Sequence, residues 1–371
     1  MTTETTILKR EEQAVFALRE LYSRYGYLPY KMSRFEEYDL YVRNKDFLAS
    51  QQIITFADRS GKLLALKPDV TLSIIKNAPD LKGSIQKLYY NESVFRADAA
   101  SHTLKEILQA GLECVGDLSS YEIAEVVLLA AKSLSLLSSA FVLDISHMGL
   151  ISAVLDSCAV PAENRKQILQ CLHQKNAHDM LSLCGELSPG NEAKLKKLIG
   201  IGGSAQEVLP ELAEVLTTQT ERSALAELQQ LCSILSQGGF GGRIRVDFSV
   251  GNNMKYYNGV VFKGYLEGLP SSILSGGQYD KLLQKMGRSS RAIGFALYLS
   301  MLERQNMHSG LFDIDTLIIH DNTADPASLI ALAEKAAGNG SVLVAAQIPE
   351  GRSYHRLIRI TNGEVEYLEH G

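Results

Sequence analysis

QKLYYNESVF (residues 86–95) and ILQAGLECVG (residues 107–116) are the two stretches that decide the fold. Both alternate apolar and polar side chains, the period of two that a half-buried strand requires. The polar segment ADAASHTLKE (97–106) joins them, so the pair reads as two antiparallel strands with a long connection. Upstream, IITFAD and KLLALKP flank Arg59-Ser60-Gly61 and read as a hairpin with glycine in the turn. Pro68 ends that strand, and a helix follows through Ile75 with Asp69 or Thr71 near its N-cap. Residues 9–24 repeat apolar positions at three and four, an amphipathic helix that Gly26 closes. Downstream, 119–139 is a long helix entered at Ser119 or Ser120 with Glu122 in its first turn, and 141–146 is a strand.

From Pro161 to about Gln237 the pattern is helical, with breaks expected at Pro189-Gly190, Gly200–Gly203 and Pro210. Strands return as RIRVDFSV, YYNGVVFKGYL and SSILSGG, and a Gly-rich turn then leads to a helix over 294–304. Antiparallel strands interrupted by helices indicate an α+β domain rather than a doubly wound sheet. The expected division is a domain over 1–310 with a helical insertion at about 160–238, then a small C-terminal α/β domain over 312–371. No G-x-G-x-x-G follows a strand, and no G-x-x-x-x-G-K-[ST], G-x-S-x-G or H-E-x-x-H occurs.

The chain has 371 residues, 46% hydrophobic and 21% charged, which suits a soluble globular protein of two or three domains. Its net charge of −5 gives no general electrostatic reason to hold a nucleic acid. Cys114, Cys158, Cys171, Cys184 and Cys232 form no C-x-x-C pair and do not group with the eight histidines. They read as reduced core residues of a cytoplasmic protein without a metal site. The N-terminus lacks an apolar signal stretch, and the most apolar window, 126–143, carries Lys132 and four serines, so no membrane span is expected.

Three scattered segments combine unusual residue types: LALKPDVT (64–71), VFR (94–96) with LQAGLECVG (108–116), and NNMKYYNGVVF (252–262) followed by SGGQYDKLL (275–283) and AIGFALYLSML (292–302). In this order they resemble the class II catalytic domain of the histidyl-tRNA synthetase family over roughly residues 10–305. LKPDVT is similar to that family's Leu-Arg-Pro-Glu-Gly-Thr segment, VFRAD to the opening of its motif 2, and QAGLECVG to the strand bearing its histidine-contacting Gln and Glu. KYYNGVVF resembles its Tyr-Tyr stretch and GGQYD its Gly-Gly-Arg-Tyr-Asp turn. The resemblance implies a class II synthetase-like antiparallel sheet with flanking helices and a helical insertion.

It also implies a histidine site at Asp69, Thr71, Arg96, Gln109, Glu113, Tyr257 and Tyr279. These residue types suit the ligand. An ammonium needs acceptors, which Asp69, Thr71 and Gln109 supply, and an imidazole N–H needs an anionic or hydroxyl acceptor, which Glu113 and Tyr257 supply. Tyr279 adds a hydroxyl or an aromatic wall, and Gln109 and Glu113, four apart on a strand, point to one face. Each has a plain structural reading too: Asp69 as a helix cap, Glu113 paired with Arg96. Arg96 could equally meet the ligand carboxylate.

The departures are selective. Asn252 stands where the family has its catalytic Arg, Gln278 replaces the Arg of Gly-Gly-Arg-Tyr-Asp, and Tyr298-Leu299-Ser300-Met301 replaces Gly-Leu-Glu-Arg, so the last Arg becomes Met301. A neutral side chain cannot replace a guanidinium against a developing phosphate charge. Residues 312–371 carry four basic and nine acidic residues, unlike a tRNA-reading module. The resemblance therefore implies the family's non-synthetase branch, the regulatory subunits of ATP phosphoribosyltransferase in the first step of histidine biosynthesis. What it implies further is a dimer of such chains, a short catalytic subunit as partner, free histidine as effector, no cofactor, and neither tRNA nor membrane as partner. The alternative is a divergent histidyl-tRNA synthetase or another histidine-activating ligase.

Overall fold

The computed structural model describes residues 8–44, 48, 53–78, 83–97, 103–184, 187–250, 256–302, 312–338, 340–361 and 364–369. Two compact units make up the chain, Met1–Leu302 and Glu303–Gly371.

The first unit opens with helix α1 (Arg10–Arg24), whose Ala14, Leu18 and Tyr22 are buried, and Gly26 at φ +79° turns the chain into the two-residue strand β1 (Leu28–Pro29). Strand β2 (Phe35–Glu37), helix α2 (Tyr38–Arg43), and strands β3 (Thr55–Ala57) and β4 (Leu63–Leu66) follow, and the three strands form a small antiparallel sheet in the order β2-β4-β3. Helix α3 (Thr71–Asn77) begins where Asp69 Oδ1 accepts the Leu72 N–H at 2.9 Å, a cap for an otherwise unpaired amide. The quoted pair becomes β5 (Ile85–Ala97) and β6 (Leu104–Gly116), antiparallel over their whole length. Both strands run longer than the alternation alone predicts, so Leu104–Glu106 belong to β6 rather than to a loop.

Helix α4 (Ser120–Leu137) starts in a capping box between Ser119 and Glu122. Strand β7 (Phe141–His147) runs directly into α5 (Met148–Ser157), a helix that the sequence reading passes over; the His147 ring caps it by accepting the Leu150 N–H. The insertion contains α6 (Arg165–Gln174), α7 (Ala177–Cys184), α8 (Pro189–Gly200), the short strand β8 (Gly203–Ser204), α9 (Ala205–Val215) and α10 (Gln219–Leu235). Pro210 does not break the chain as expected. It lies inside α9, whose buried Val208, Leu209 and Leu212 hold the helix on the core at the cost of one hydrogen bond.

RIRVDFSV is strand only over β9 (Ile244–Val246) and then turns into a short 3-10 segment. Strands β10 (Val260–Leu266) and β11 (Leu274–Gln278), the short helix α11 (Asp280–Lys285) and strand β12 (Arg291–Tyr298) complete the unit. The helix expected over 294–304 is therefore wrong. Residues 291–298 pair with β6 on one side and β11 on the other, and only Leu299–Met301 make a 3-10 turn. A short apolar run fits either element, and the sheet on both sides decides for strand.

The main sheet has nine strands in the order β1-β5-β6-β12-β11-β10-β7-β9-β8. One of its faces carries Ala110, Leu112, Cys114, Ile293, Phe295 and Leu297 into the main core with α1 and α4. The insertion helices contribute Ile168, Leu172, Leu195 and Leu228 to that same core, so the insertion is not a detached lobe. All five cysteines are buried and unpaired. The second unit runs β13 (Ile314–His320), α12 (Pro326–Ala337), β14 (Val342–Ala345), β15 (Tyr354–Thr361) and β16 (Glu364–Glu369). Its sheet order is β14-β13-β15-β16, parallel except for β16, around a core of Ile318, Ile358 and Ile360. No helix of the described residues is long and apolar enough to cross a membrane.

Candidate binding site

The face of the main sheet opposite α1 and α4 is paved with small residues. Side chains on this face form rows across the strands, set by the register. One row is Leu88, Glu113, Gly294 and Gly277; the next is Tyr90, Gly111, Ala296 and Ser275; the third pairs Glu92, Gln109 and Tyr298. The glycines leave space over the sheet that larger side chains enter from the edges. A Cβ at Gly294 would lie 1.7 Å from Glu113 Oε2, and one at Gly111 would lie 2.5 Å from the Tyr90 hydroxyl oxygen.

The space so formed is a cavity of about 190 Å³. It far exceeds the ~10–15 Å³ that one water needs and falls below the ~300–1,000 Å³ of sites for drug-sized ligands. Asp69, Thr71, Arg96, Gln109, Glu113, Tyr257 and Tyr279 all line it, so the structure brings every one of these residues to a single cavity.

Glu113 lies at the closed end, 2% exposed. The Thr71 hydroxyl donates to its Oε1 at 2.6 Å, and the Tyr279 hydroxyl donates to its Oε2. Burial pushes this carboxyl up to about 8, against the pull of those two donors, with the nearby Asp69 charge adding to the rise. Glu113 does not pair with Arg96. The Arg96 Nε instead donates to the Pro68 carbonyl at 3.0 Å, and its charge faces Asp69. Asp69 both caps α3 and lines the cavity; burial raises its pKa, and the Leu72 amide and Arg96 oppose the rise. At the same end Tyr256 and Tyr257 stack edge to face with centroids 4.5 Å apart, and the Tyr256 ring lies 5.7 Å from that of Tyr279.

Asp280 holds this aromatic wall in place. Its Oδ2 accepts from Asn258 Nδ2 at 2.9 Å and Gln278 Nε2 at 2.6 Å, its Oδ1 accepts the Ala292 N–H, and its own N–H donates to Asn258 Oδ1. Gln278 is therefore spent on Asp280, on the sheet face away from the cavity, where it pairs in register with Ile293. Met301 is not among the cavity's lining residues, and Asn252 lies outside the described residues. Arg96 is the one arginine among the described lining residues.

Tyr90, Tyr256, Ser275, Ala296 and Tyr298 also line the cavity and were not anticipated. Parity with Gln109 and Glu113 would have found the first and the last, given the register of β5 and β12 on β6. No group of three or more metal-binding side chains occurs among the described residues. The arrangement offers carboxylates and hydroxyls in a buried recess, with a single guanidinium beside Asp69. It can hold a small cationic or zwitterionic molecule.

Comparisons with known proteins give this geometry a context. The family described as Histidyl-tRNA synthetase matches residues 6–302. The ATP phosphoribosyltransferase regulatory subunit of Alkaliphilus metalliredigens (strain QYMF) is 33% identical over 79% of this chain and 76% of its own length. The solved structure of an ATP phosphoribosyltransferase regulatory subunit/histidyl-tRNA synthetase from Bacillus halodurans superposes with a TM-score of 0.72 at 25% identity, covering 94% of this chain and 93% of the other. A chain of the ATP phosphoribosyl transferase complex of Thermotoga maritima shares the fold, with a TM-score of 0.62 at 19% identity over 78% of this chain and 97% of that one.

Proposed function

This chain belongs to the histidyl-tRNA synthetase family, in the branch of ATP phosphoribosyltransferase regulatory subunits, and from that premise we propose that it is a non-catalytic subunit that binds free histidine and passes the signal to a short catalytic phosphoribosyltransferase chain. The observation that carries the effector assignment is the cavity itself. Its closed end presents Glu113 and Tyr257 to an imidazole, while Asp69, Thr71 and Gln109 face an ammonium and Arg96 a carboxylate. Thr71 spends its hydrogen on Glu113, which leaves its lone pairs for the ammonium.

Activation of histidine would require cationic groups on the phosphates of ATP. With Gln278 turned to Asp280 and Met301 away from the cavity, only Arg96 is at hand among the described lining residues. The reading is thus of a site that retains an amino acid and does not adenylate it. As a regulator, the chain works by binding histidine more tightly in one arrangement of the complex than in another, which shifts the population towards it. Two copies of this chain are expected to pair within that complex, in the cytoplasm, with no tRNA and no cofactor involved.

The test is co-purification of this chain with a short ATP phosphoribosyltransferase catalytic subunit, followed by assay of the pair. Activity should rise when this chain is added and fall when histidine is added, and Glu113→Gln should remove the histidine effect while keeping the activation. Histidine-dependent exchange of pyrophosphate into ATP by this chain alone would overturn the non-catalytic reading.

A further inference from the structure

The cavity is most buried at the Glu113 row and becomes more exposed towards the row of Tyr298 and Gln109, where Tyr298 is the large side chain contributed by β12. Along the cavity side of β12 the side chains are Gly294, Ala296 and Tyr298. Gly294 is buried, whereas Ala296 and Tyr298 are partly exposed, so the recess opens from the Glu113 row towards the Tyr298 row. Tyr298 faces Gln109 across the strand pair, two rows from Glu113. On β5 the same direction leads from Leu88 past Tyr90 and Glu92 to Arg96. Arg96 lies two rows beyond that of Tyr298, with the buried Val94 between, so an amino acid with its side chain against Glu113 and its carboxylate towards Arg96 extends along the Tyr298 side of the cavity.

The backbone fixes Tyr298 at this spot. Its N–H donates to the Ile273 carbonyl at 2.8 Å, and β12 ends there in the 3-10 turn Leu299–Met301. Ser300 Oγ in that turn accepts the Leu108 N–H at 2.8 Å, which ties the turn to β6 beside Gln109. In the row between, Gly111, Ala296 and Ser275 are small and Tyr90 bounds the space on the β5 side, so on the β12 side Tyr298 is the first large side chain beyond Gly294.

We propose that Tyr298 is the specificity-determining residue of this cavity: its ring ends the space beyond the ligand's carboxylate, admitting a free α-amino acid and rejecting the same amino acid joined through its carboxyl group to a larger body such as a nucleoside. This deepens the proposed function and rests on it. The consequence is that the protein reads the free amino acid and is blind to its activated or esterified forms. The hydroxyl is not needed for this; the volume of the ring is.

Titration calorimetry on the full-length chain tests it, with histidine and the sulfamoyl-adenosine conjugate of histidine as probes. The wild type should bind histidine and discriminate against the conjugate by at least about tenfold. Tyr298→Gly should raise affinity for the conjugate by at least about tenfold and change histidine affinity only a few-fold, while Tyr298→Phe should behave as the wild type. Tyr298→Val, which keeps strand preference, serves if the glycine variant does not fold. The proposal is overturned if the wild type binds the conjugate as tightly as histidine, or if a folded Tyr298→Gly or Tyr298→Val variant still rejects it. If the wild type binds neither probe, the histidine assignment itself fails, an outcome distinct from both of these.

Discussion

Glu113 stands opposite Gly294 on the neighbouring strand, and that pairing lets a carboxylate lie across a sheet. Gly294→Ala would force the side chain out of its place between Thr71 and Tyr279 and should cost roughly 1–3 kcal/mol of stability along with histidine binding, as thermal unfolding and calorimetry would read. Glu113→Gln keeps the shape and removes a carboxyl that can give up its proton when an imidazole N–H meets it. Histidine affinity should fall by at least about tenfold, the equivalent of one charge-assisted hydrogen bond. The same residue makes stability depend on pH. Its carboxyl is raised from 4.5 to about 8, so in that window the folded protein holds a proton that the unfolded chain has released. Its contribution is complete below pH 4.5 and is lost as pH rises towards 8. Urea unfolding without histidine at both ends of that window should show the wild type losing stability that Glu113→Gln does not lose; equal slopes would contradict the burial described here. Glu113 and Gln109 were legible because QAGLECVG resembles the family's strand, and strand parity puts both on one face. Tyr90 and Tyr298 were not, because their place depends on which strands flank β6 and in what register.

At the level of elements, the helical insertion shows how a charged pair can fix helices together. Lys194 of α8 and Glu221 of α10 are both buried, with Nζ and Oε1 2.7 Å apart. Ser157 at the end of α5 donates to the same oxygen, and the Thr217 and Thr218 amides donate to Oε2. Burial opposes ionisation, yet Lys194, Ser157 and these amides together hold the Glu221 carboxyl down at about 2. Lys194→Met leaves that carboxylate without its cation and should cost roughly 3–5 kcal/mol, measured by denaturant unfolding. The sign with pH is opposite to that of Glu113. The stabilisation from Glu221 is present above its ordinary 4.5 and is lost as pH falls towards 2. Nothing in the spacing of Lys194 and Glu221 announces the pair, since the loops between α8 and α10 decide that they meet. The strand β12 teaches the same lesson from another side, since its apolar run suits a helix until β6 and β11 claim its hydrogen bonds.

On the scale of the whole molecule, the two compact units give the proposed effector a distinctive signature. Histidine bound in the first unit should raise the unfolding temperature of Met1–Leu302 and leave that of Glu303–Gly371 unchanged in a calorimetric scan. At a hundredfold excess over the dissociation constant the gain is about 2.7 kcal/mol. Linkage adds a second test. If histidine weakens the productive arrangement with the catalytic chain by some factor, that chain must weaken histidine binding by the same factor, which titration of free and assembled protein would compare.

By itself the sequence made legible the alternating strands β5 and β6, the run of helices after Pro161 and, through the family resemblance, the side-chain types of seven residues that line the cavity, because period, turn residues and motifs are local properties. The tertiary structure alone decided that β12 is a strand, that Gln278 serves Asp280 on the far side of the sheet, and that Tyr298 stands at the open end of the cavity. Each depends on register between strands distant in the chain, and register is fixed only when the whole sheet buries its apolar face.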